Sequence, residues 1–150
     1  MPHFCTSLFV SPLKKLTTVA TKFYKCPVCG NVIVKHVDSQ VIPVCCGQPM
    51  QLLDPHREDG AAEKHLPVLT RRDSGALLIS VGEVAHPMLP EHHICFVAVE
   101  TENALHFHYL KPGDVPEVVC SDCLAPFTAV YEYCNQHGLW MTTDIPPRCK

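Results

Sequence analysis

Downstream of residue 65 the apolar positions alternate in short runs instead of recurring at helical spacing. Leu66 to Thr70, Ala76 to Val81, His93 to Glu100, Ala104 to Leu110, Glu117 to Val119 and Thr128 to Tyr133 each read as a strand. Turn-forming clusters separate them: Asp73-Ser74-Gly75, Thr101-Glu102-Asn103 and Lys111-Pro112-Gly113-Asp114. Short, evenly spaced strands with such turns predict an antiparallel sandwich or barrel. No window sustains apolar spacing at 3.6 residues, so long helices are not expected.

The pattern is different before Asp54. Phe23 to Leu53 is a Cys-rich knot, and the polar stretch Asp54 to Gly60 reads as a linker. In residues 1–22 a short apolar run, Phe4 to Leu13, is broken by Cys5, Thr6, Ser7, Ser11 and Pro12. Lys14 and Lys15 follow that run, the reverse of a secretory signal, so 1–22 reads as a poorly ordered leader. The expected organisation is therefore leader 1–22, metal knot 23–53, linker 54–60 and β domain 61–150.

Charge narrows the classes. Twelve Lys and Arg against fifteen Asp and Glu give a net charge of −3, which argues against nucleic-acid binding and against a polybasic membrane-surface protein. No apolar run reaches the ~18 residues of a spanning helix. Ten Cys and ten His in 150 residues point to metal, since disulfides would account for the Cys but not the His. With no export signal evident, a reducing cytosol is the expected compartment and metal ligation the expected use of the thiols.

Two constellations carry that chemistry. Cys26-Pro27-Val28-Cys29-Gly30 is a knuckle, and Cys45-Cys46-Gly47 follows sixteen residues after Cys29, together a set of four thiolates for one metal. Adjacent Cys45 and Cys46 are expected to strain a tetrahedron, and spacing alone favours zinc over iron. Downstream, Glu63-Lys64-His65, Ala85-His86-Pro87-Met88, Glu91-His92-His93 and Cys134-Asn135-Gln136-His137-Gly138 sit at strand ends or loops. If they share one edge of a sandwich they could supply four imidazoles and one thiolate, leaving an octahedral position open. Taken one at a time, each of these histidines is more simply a surface or hydrogen-bonded residue.

At these residues the chain resembles desulfoferrodoxin, the two-iron form of superoxide reductase, from about Phe23 to Trp140. The resemblance rests on Tyr24-Lys25-Cys26-x-x-Cys29-Gly30, Cys45-Cys46-Gly47-x-Pro49-Met50, Glu63-Lys64-His65, Ala85-His86-Pro87-Met88, His92, Leu110-Lys111-Pro112-Gly113-Asp114 and Cys134-Asn135-x-His137-Gly138. It implies a small rubredoxin- or desulforedoxin-like domain followed by an immunoglobulin-like antiparallel β-sandwich. It implies two irons per chain, one on Cys26, Cys29, Cys45 and Cys46 and one on His65, His86, His92 and His137 with Cys134 as axial sulfur. This reverses the preference for zinc. His92 is taken over His93 because the family places its third ligand six residues after the one in His-Pro-Met.

The implied activity is one-electron reduction of superoxide to hydrogen peroxide, a detoxification that yields no dioxygen, at a ferrous centre of four histidines and one cysteine. Lys64 and Glu63 match the mobile pair beside the open position. Lys64 would steer the anion and Glu63 would occupy the vacated ferric site. A rubredoxin-like donor and a homodimer are implied as partners. The alternative is a non-catalytic electron-transfer or structural metal-binding protein.

Several residues fall outside that pattern. Cys120-Ser121-Asp122-Cys123 reads as two unpaired thiols in a hairpin, with a redox pair or extra metal clip as alternatives. His106 and His108 alternate with Phe107 and Tyr109, which suggests a solvated histidine face and buried aromatics. Cys5, Cys95 and Cys149 have no evident partner. Trp140 is expected to shield the second centre.

Overall fold

The computed structural model describes residues 21–57, 61–121 and 126–147. The chain runs β1 (Lys22–Lys25), β2 (Val32–Lys35), β3 (Val44–Cys45), β4 (Gln48–Pro49), β5 (Gln51–Leu53), α1 (Ala62–His65), β6 (Pro67–Arg71), β7 (Leu77–Val81), β8 (Ile94–Thr101), β9 (Leu105–Tyr109), β10 (Glu117–Cys120), β11 (Phe127–Cys134) and β12 (Gly138–Thr142). The six alternating runs downstream of residue 65 all form strands. β12 was not among them, and the four residues of α1 are too few to leave a periodic signal. β1 opens at Lys22, inside the stretch read as leader; residues 1–20, with His3 and Cys5, lie outside the described residues, as do Cys123 and Cys149.

Two antiparallel sheets form the sandwich, β10-β7-β6 and β12-β11-β8-β9. Between them Leu77, Ile79 and Val81 of β7 meet Val97 and Val99 of β8 and Val130 of β11, all essentially without exposure. The N-terminal unit, sheet β2-β1-β5 with the small β3-β4 pair, covers the outer face of the four-stranded sheet. Phe23 anchors it, stacked 6.0 Å from Phe96 and tilted 5.1 Å from Tyr131. The central strands β8 and β11 are thereby buried on both faces. This explains why Ile94 to Val99 reads as a nearly continuous apolar run, whereas β7 alternates.

The segment between the two units is attached to the sandwich. The His56 N–H donates to the Leu139 carbonyl at 2.9 Å, and Met141 donates back to the His56 carbonyl at 3.0 Å. No helix among the described residues is long and apolar enough to cross a membrane.

Three readings of the leftover residues change. Cys120 is disulfide-bonded, not an unpaired thiol, and its partner lies outside the described residues. Tyr109 is exposed although it shares the face of Phe107, stacked 6.1 Å from it, because it ends the edge strand β9. His108 is half-buried, with its Nε2 shut off from solvent, so the β9 histidines are not a uniformly solvated face.

Candidate metal centres

In the N-terminal unit, tight turns gather the four thiols. The Cys26 carbonyl accepts from Gly30 N at 3.1 Å, and Gly30 takes a φ of 77°, a left-handed conformation that glycine adopts without a Cβ clash. Backbone amides of Val28 and Cys29 donate to Cys26 Sγ at 3.4 and 3.5 Å. The Cys29 amide is the main reason the Cys26 thiol is brought down to about 6. Cys46 is pushed up to about 12, chiefly by the neighbouring Cys29 thiol. Cys26 thus gives up its proton readily, while Cys46 holds its own until a cation arrives.

Cys29 and Cys45 Sγ are 3.7 Å apart, and Cys45 and Cys46 Sγ 3.9 Å. A tetrahedron of metal–sulfur bonds of ~2.3 Å has edges of about 3.8 Å, so these distances suit one ion. The expected strain of the adjacent pair is taken up by the backbone. Cys46 sits at φ 51°, an uncommon conformation for a residue with a Cβ.

The second cluster draws on four distant segments: His65 at the end of α1, His86 in the β7–β8 loop, His92 just before β8, and Cys134 and His137 around the β11–β12 turn. His86 Nε2 lies 3.1 Å from His65 Nε2, His65 Nε2 3.1 Å from His137 Nδ1, and His137 Nδ1 3.1 Å from His92 Nε2. The ring closes, because His86 and His92 have centroids 4.6 Å apart, matching the 4.7 to 4.8 Å of the other neighbours, while His65 and His92 stand 6.3 Å apart across the diagonal. With three successive sides of 3.1 Å, closing the fourth alike would put each nitrogen about 2.2 Å from the centre of a square (3.1 divided by √2), close to a metal–imidazole bond of ~2.0–2.1 Å. Cys134 Sγ is 3.6 Å from His137 Nδ1 and fully buried, on the protein side of the square.

Two of the rings have their tautomer set by the backbone. His65 Nδ1 bonds the Ala61 carbonyl at 2.9 Å and His86 Nδ1 the Pro87 carbonyl at 2.6 Å. A carbonyl only accepts, so each Nδ1 carries the proton and each Nε2 is bare. Two bare nitrogens 3.1 Å apart repel; a cation between them removes the conflict. Burial is the main cause that lowers His65, His92 and His86, the last to about 4, so the rings are neutral and ready to ligate near neutral pH.

Neighbouring residues position this set. Trp140 stacks on His65 at 4.9 Å, as expected of a shield. Asn135, present in the sequence motif but given no role there, fastens two ligand loops together. Its Oδ1 accepts from His93 N at 2.9 Å and its Nδ2 donates to the Glu91 carbonyl at 3.0 Å. The Lys111–Asp114 turn does the same for His86, since Gly113 N donates to the Met88 carbonyl at 2.8 Å. His93 turns away, its Nδ1 on the Leu89 carbonyl. Glu63 and Lys64 are exposed on α1, and the Lys64 charge is felt by both His65 and His92. Glu132, two residues before Cys134 on the core face, is wholly buried and held well above the usual carboxyl range by desolvation.

The chain resembles known proteins along most of its length. The family model for desulfoferrodoxin matches residues 57–143. A desulfoferrodoxin of Syntrophotalea carbinolica is 42% identical over 118 residues, 78% of this chain and 91% of that protein. A superoxide reductase of Pyrococcus horikoshii is 35% identical over 106 residues, 55% of this chain and 86% of that protein. The crystal structure of the superoxide reductase from Treponema pallidum superposes with a TM-score of 0.66 at 27% identity, covering 81% of this chain and 96% of that one.

Proposed function

The chain belongs to the desulfoferrodoxin family, and from that membership we propose that it is a superoxide reductase, converting superoxide to hydrogen peroxide. The observation that carries the reading is the square of four imidazole nitrogens backed by a buried thiol. In it His65, His86, His92, His137 and Cys134 would hold one iron, and Cys26, Cys29, Cys45 and Cys46 a second. A ferrous ion held by these residues would supply the single electron.

The side chains do the rest. The carbonyl-anchored His65 and His86 keep their Nε2 atoms aimed inward without rearrangement. Cys134 takes the buried side, so a small anion approaches from the opposite face, where His137 is exposed. Lys64, on that exposed helix, adds local positive field on a chain of net charge −3, which raises the encounter rate more than the affinity. Its ammonium would also order the water that supplies protons to the product. Glu63 would cover the open position between turnovers.

We also infer a rubredoxin-like donor, a homodimer and a cytosolic setting. Exposed Val37, Val41, Ile42, Val44 and Leu52 on the N-terminal unit favour a second copy. Size-exclusion chromatography with light scattering should give twice the chain mass; a monomer would remove the dimer from this reading. Five of the six described free cysteines are the proposed metal ligands, a use of thiols that suits a reducing compartment, whereas the Cys120 disulfide does not.

Metal analysis with oxidised and reduced visible spectra, followed by pulse radiolysis with superoxide, tests the function. Two irons, colour that bleaches on reduction, and peroxide without dioxygen are expected. Two colourless zinc sites and no superoxide consumption would make the protein a structural metal-binding module instead.

A further inference from the structure

β9 and β10 are the edge strands of the two sheets at the same side of the sandwich. They flank a cavity of about 400 Å³ lined by His106, His108, Cys120 and Ser121. The β9 register decides where its histidines point. His106 pairs with Val99 and His108 with Val97, both core residues, so the imidazoles share the inward face of their sheet. Cys120 is buried on the inward face of the opposite sheet, packed in the same core. The two histidines and the cysteine therefore line one gap from both sides.

His108 lines that gap, and its Nε2 is buried without a hydrogen-bond partner among the described residues. A buried polar atom left unpaired destabilises the fold, and a bound ligand would offset that cost. Burial also lowers the His108 imidazole, which keeps its ring neutral as a metal ligand must be. Histidines two apart on one strand lie only ~6.6 Å apart along it, near enough for both rings to lean onto one ion.

We propose that His106, His108 and Cys120 form a third transition-metal site, closed while Cys120 is disulfide-bonded and opened by reduction. The disulfide takes two electrons and two protons from a dithiol reductant, giving two thiols. Cys120 then gives up its proton as it binds the cation. Two imidazoles and one thiolate suit zinc, with a fourth position left for water. The site is separate from both clusters of the proposed function and does not depend on their metal being iron.

The metal-loaded protein, untreated or treated with a dithiol that is then removed under anaerobic conditions, is dialysed against buffered zinc and its metals are measured. The reduced protein should retain about one more zinc per chain than the untreated one, with the original metals unchanged. Cys120→Ser and the double variant His106→Ala/His108→Ala should each weaken that uptake by about tenfold or more while keeping the original metals and spectra. Cys120→Ser is close to isosteric, so it separates loss of a ligand from loss of the fold. Equal uptake in oxidised and reduced protein, uptake unaffected by either variant, or zinc gained only as another metal is displaced would each overturn the site.

Discussion

The two metal clusters are built on opposite plans. The cysteine cluster is local, four thiols within twenty-one residues, on turns that need little beyond Gly30, Gly47 and the strained Cys46; two of its thiols are exposed. The histidine–thiol cluster spans residues 65 to 137 and exists only where four segments of a folded sandwich meet, with His65, His86 and Cys134 buried. A local cluster can be disrupted by changing its own ligands. A gathered cluster can be lost by disturbing anything that holds the segments together, and its buried rings tie its occupancy to proton concentration.

The largest expected effect tests that difference at a residue that ligates nothing. Gly82 sits at φ 82°, and a Cβ there would lie 2.7 Å from the backbone of Lys64 and 2.6 Å from the Val84 carbonyl oxygen. Gly82→Val should force α1 away, displace His65, and abolish the second centre and superoxide reduction while the cysteine centre keeps its spectrum. Metal analysis of the variant checks this; retention of both metals would show that α1 can move without cost to the square.

Lys64→Ala should keep both centres and both spectra, and lower the second-order rate with superoxide by about 10- to 10³-fold, the range of electrostatic focusing. The wild-type rate should fall as salt rises over a Debye length of ~10 Å at 0.1 M, and the variant should lose or invert that dependence. Pulse radiolysis over a salt series reads both, and an unchanged encounter rate would remove Lys64 from the mechanism.

Acid should act on the histidine centre through a defined window. His86 titrates near 4 when folded, against 6.5 for the free side chain. Between those values the unfolded chain binds the extra proton, so folding weakens as pH falls, and His65 and His92 shift in the same direction. Ligation needs the same nitrogens bare, and His86 stays bare in the folded protein down to about pH 4, so second-centre metal should be held to about that pH and released below it. Metal lost already near pH 6 would mean that burial of the rings does not govern metal retention.

The smallest effect on activity is expected from Cys46→Ser. It should remove the first chromophore and leave direct reaction with superoxide close to wild type, since every ligand of the square comes from downstream of Ala61. Loss of the second metal in this variant would show that the two units are coupled through the Phe23 contact.

Much of this was legible along the chain, for physical reasons that differ by region. Six strands of the sandwich were read from alternation because each side chain's burial follows from period two once one face is covered. The cysteine cluster was read from spacing because a tight turn converts neighbours in sequence into neighbours in space. β12 leaves no signal because Gly138 and the mixed run after it carry no alternation; it is a strand because it pairs with β11, Cys134 opposite Gly138. α1 leaves none because its one turn is held by contacts outside it, Gly82 N on the Leu66 carbonyl and Val84 N on that of Glu63.

The donor residues could be named from the chain alone. His65, His86, His92, Cys134 and His137 all stood in recognisable motifs, but as a set they rested on resemblance, since no spacing rule links residue 65 to residue 137. It took the packed fold to decide that four imidazoles close into a square, that Asn135 fastens two of the loops and that His93 turns outward. The fold also decided that His106 and His108 face Cys120 across an open edge. The reason is the same in each case. A strand's pattern tells which face a side chain takes, while the residue it meets there depends on which other strand the packed core brings alongside.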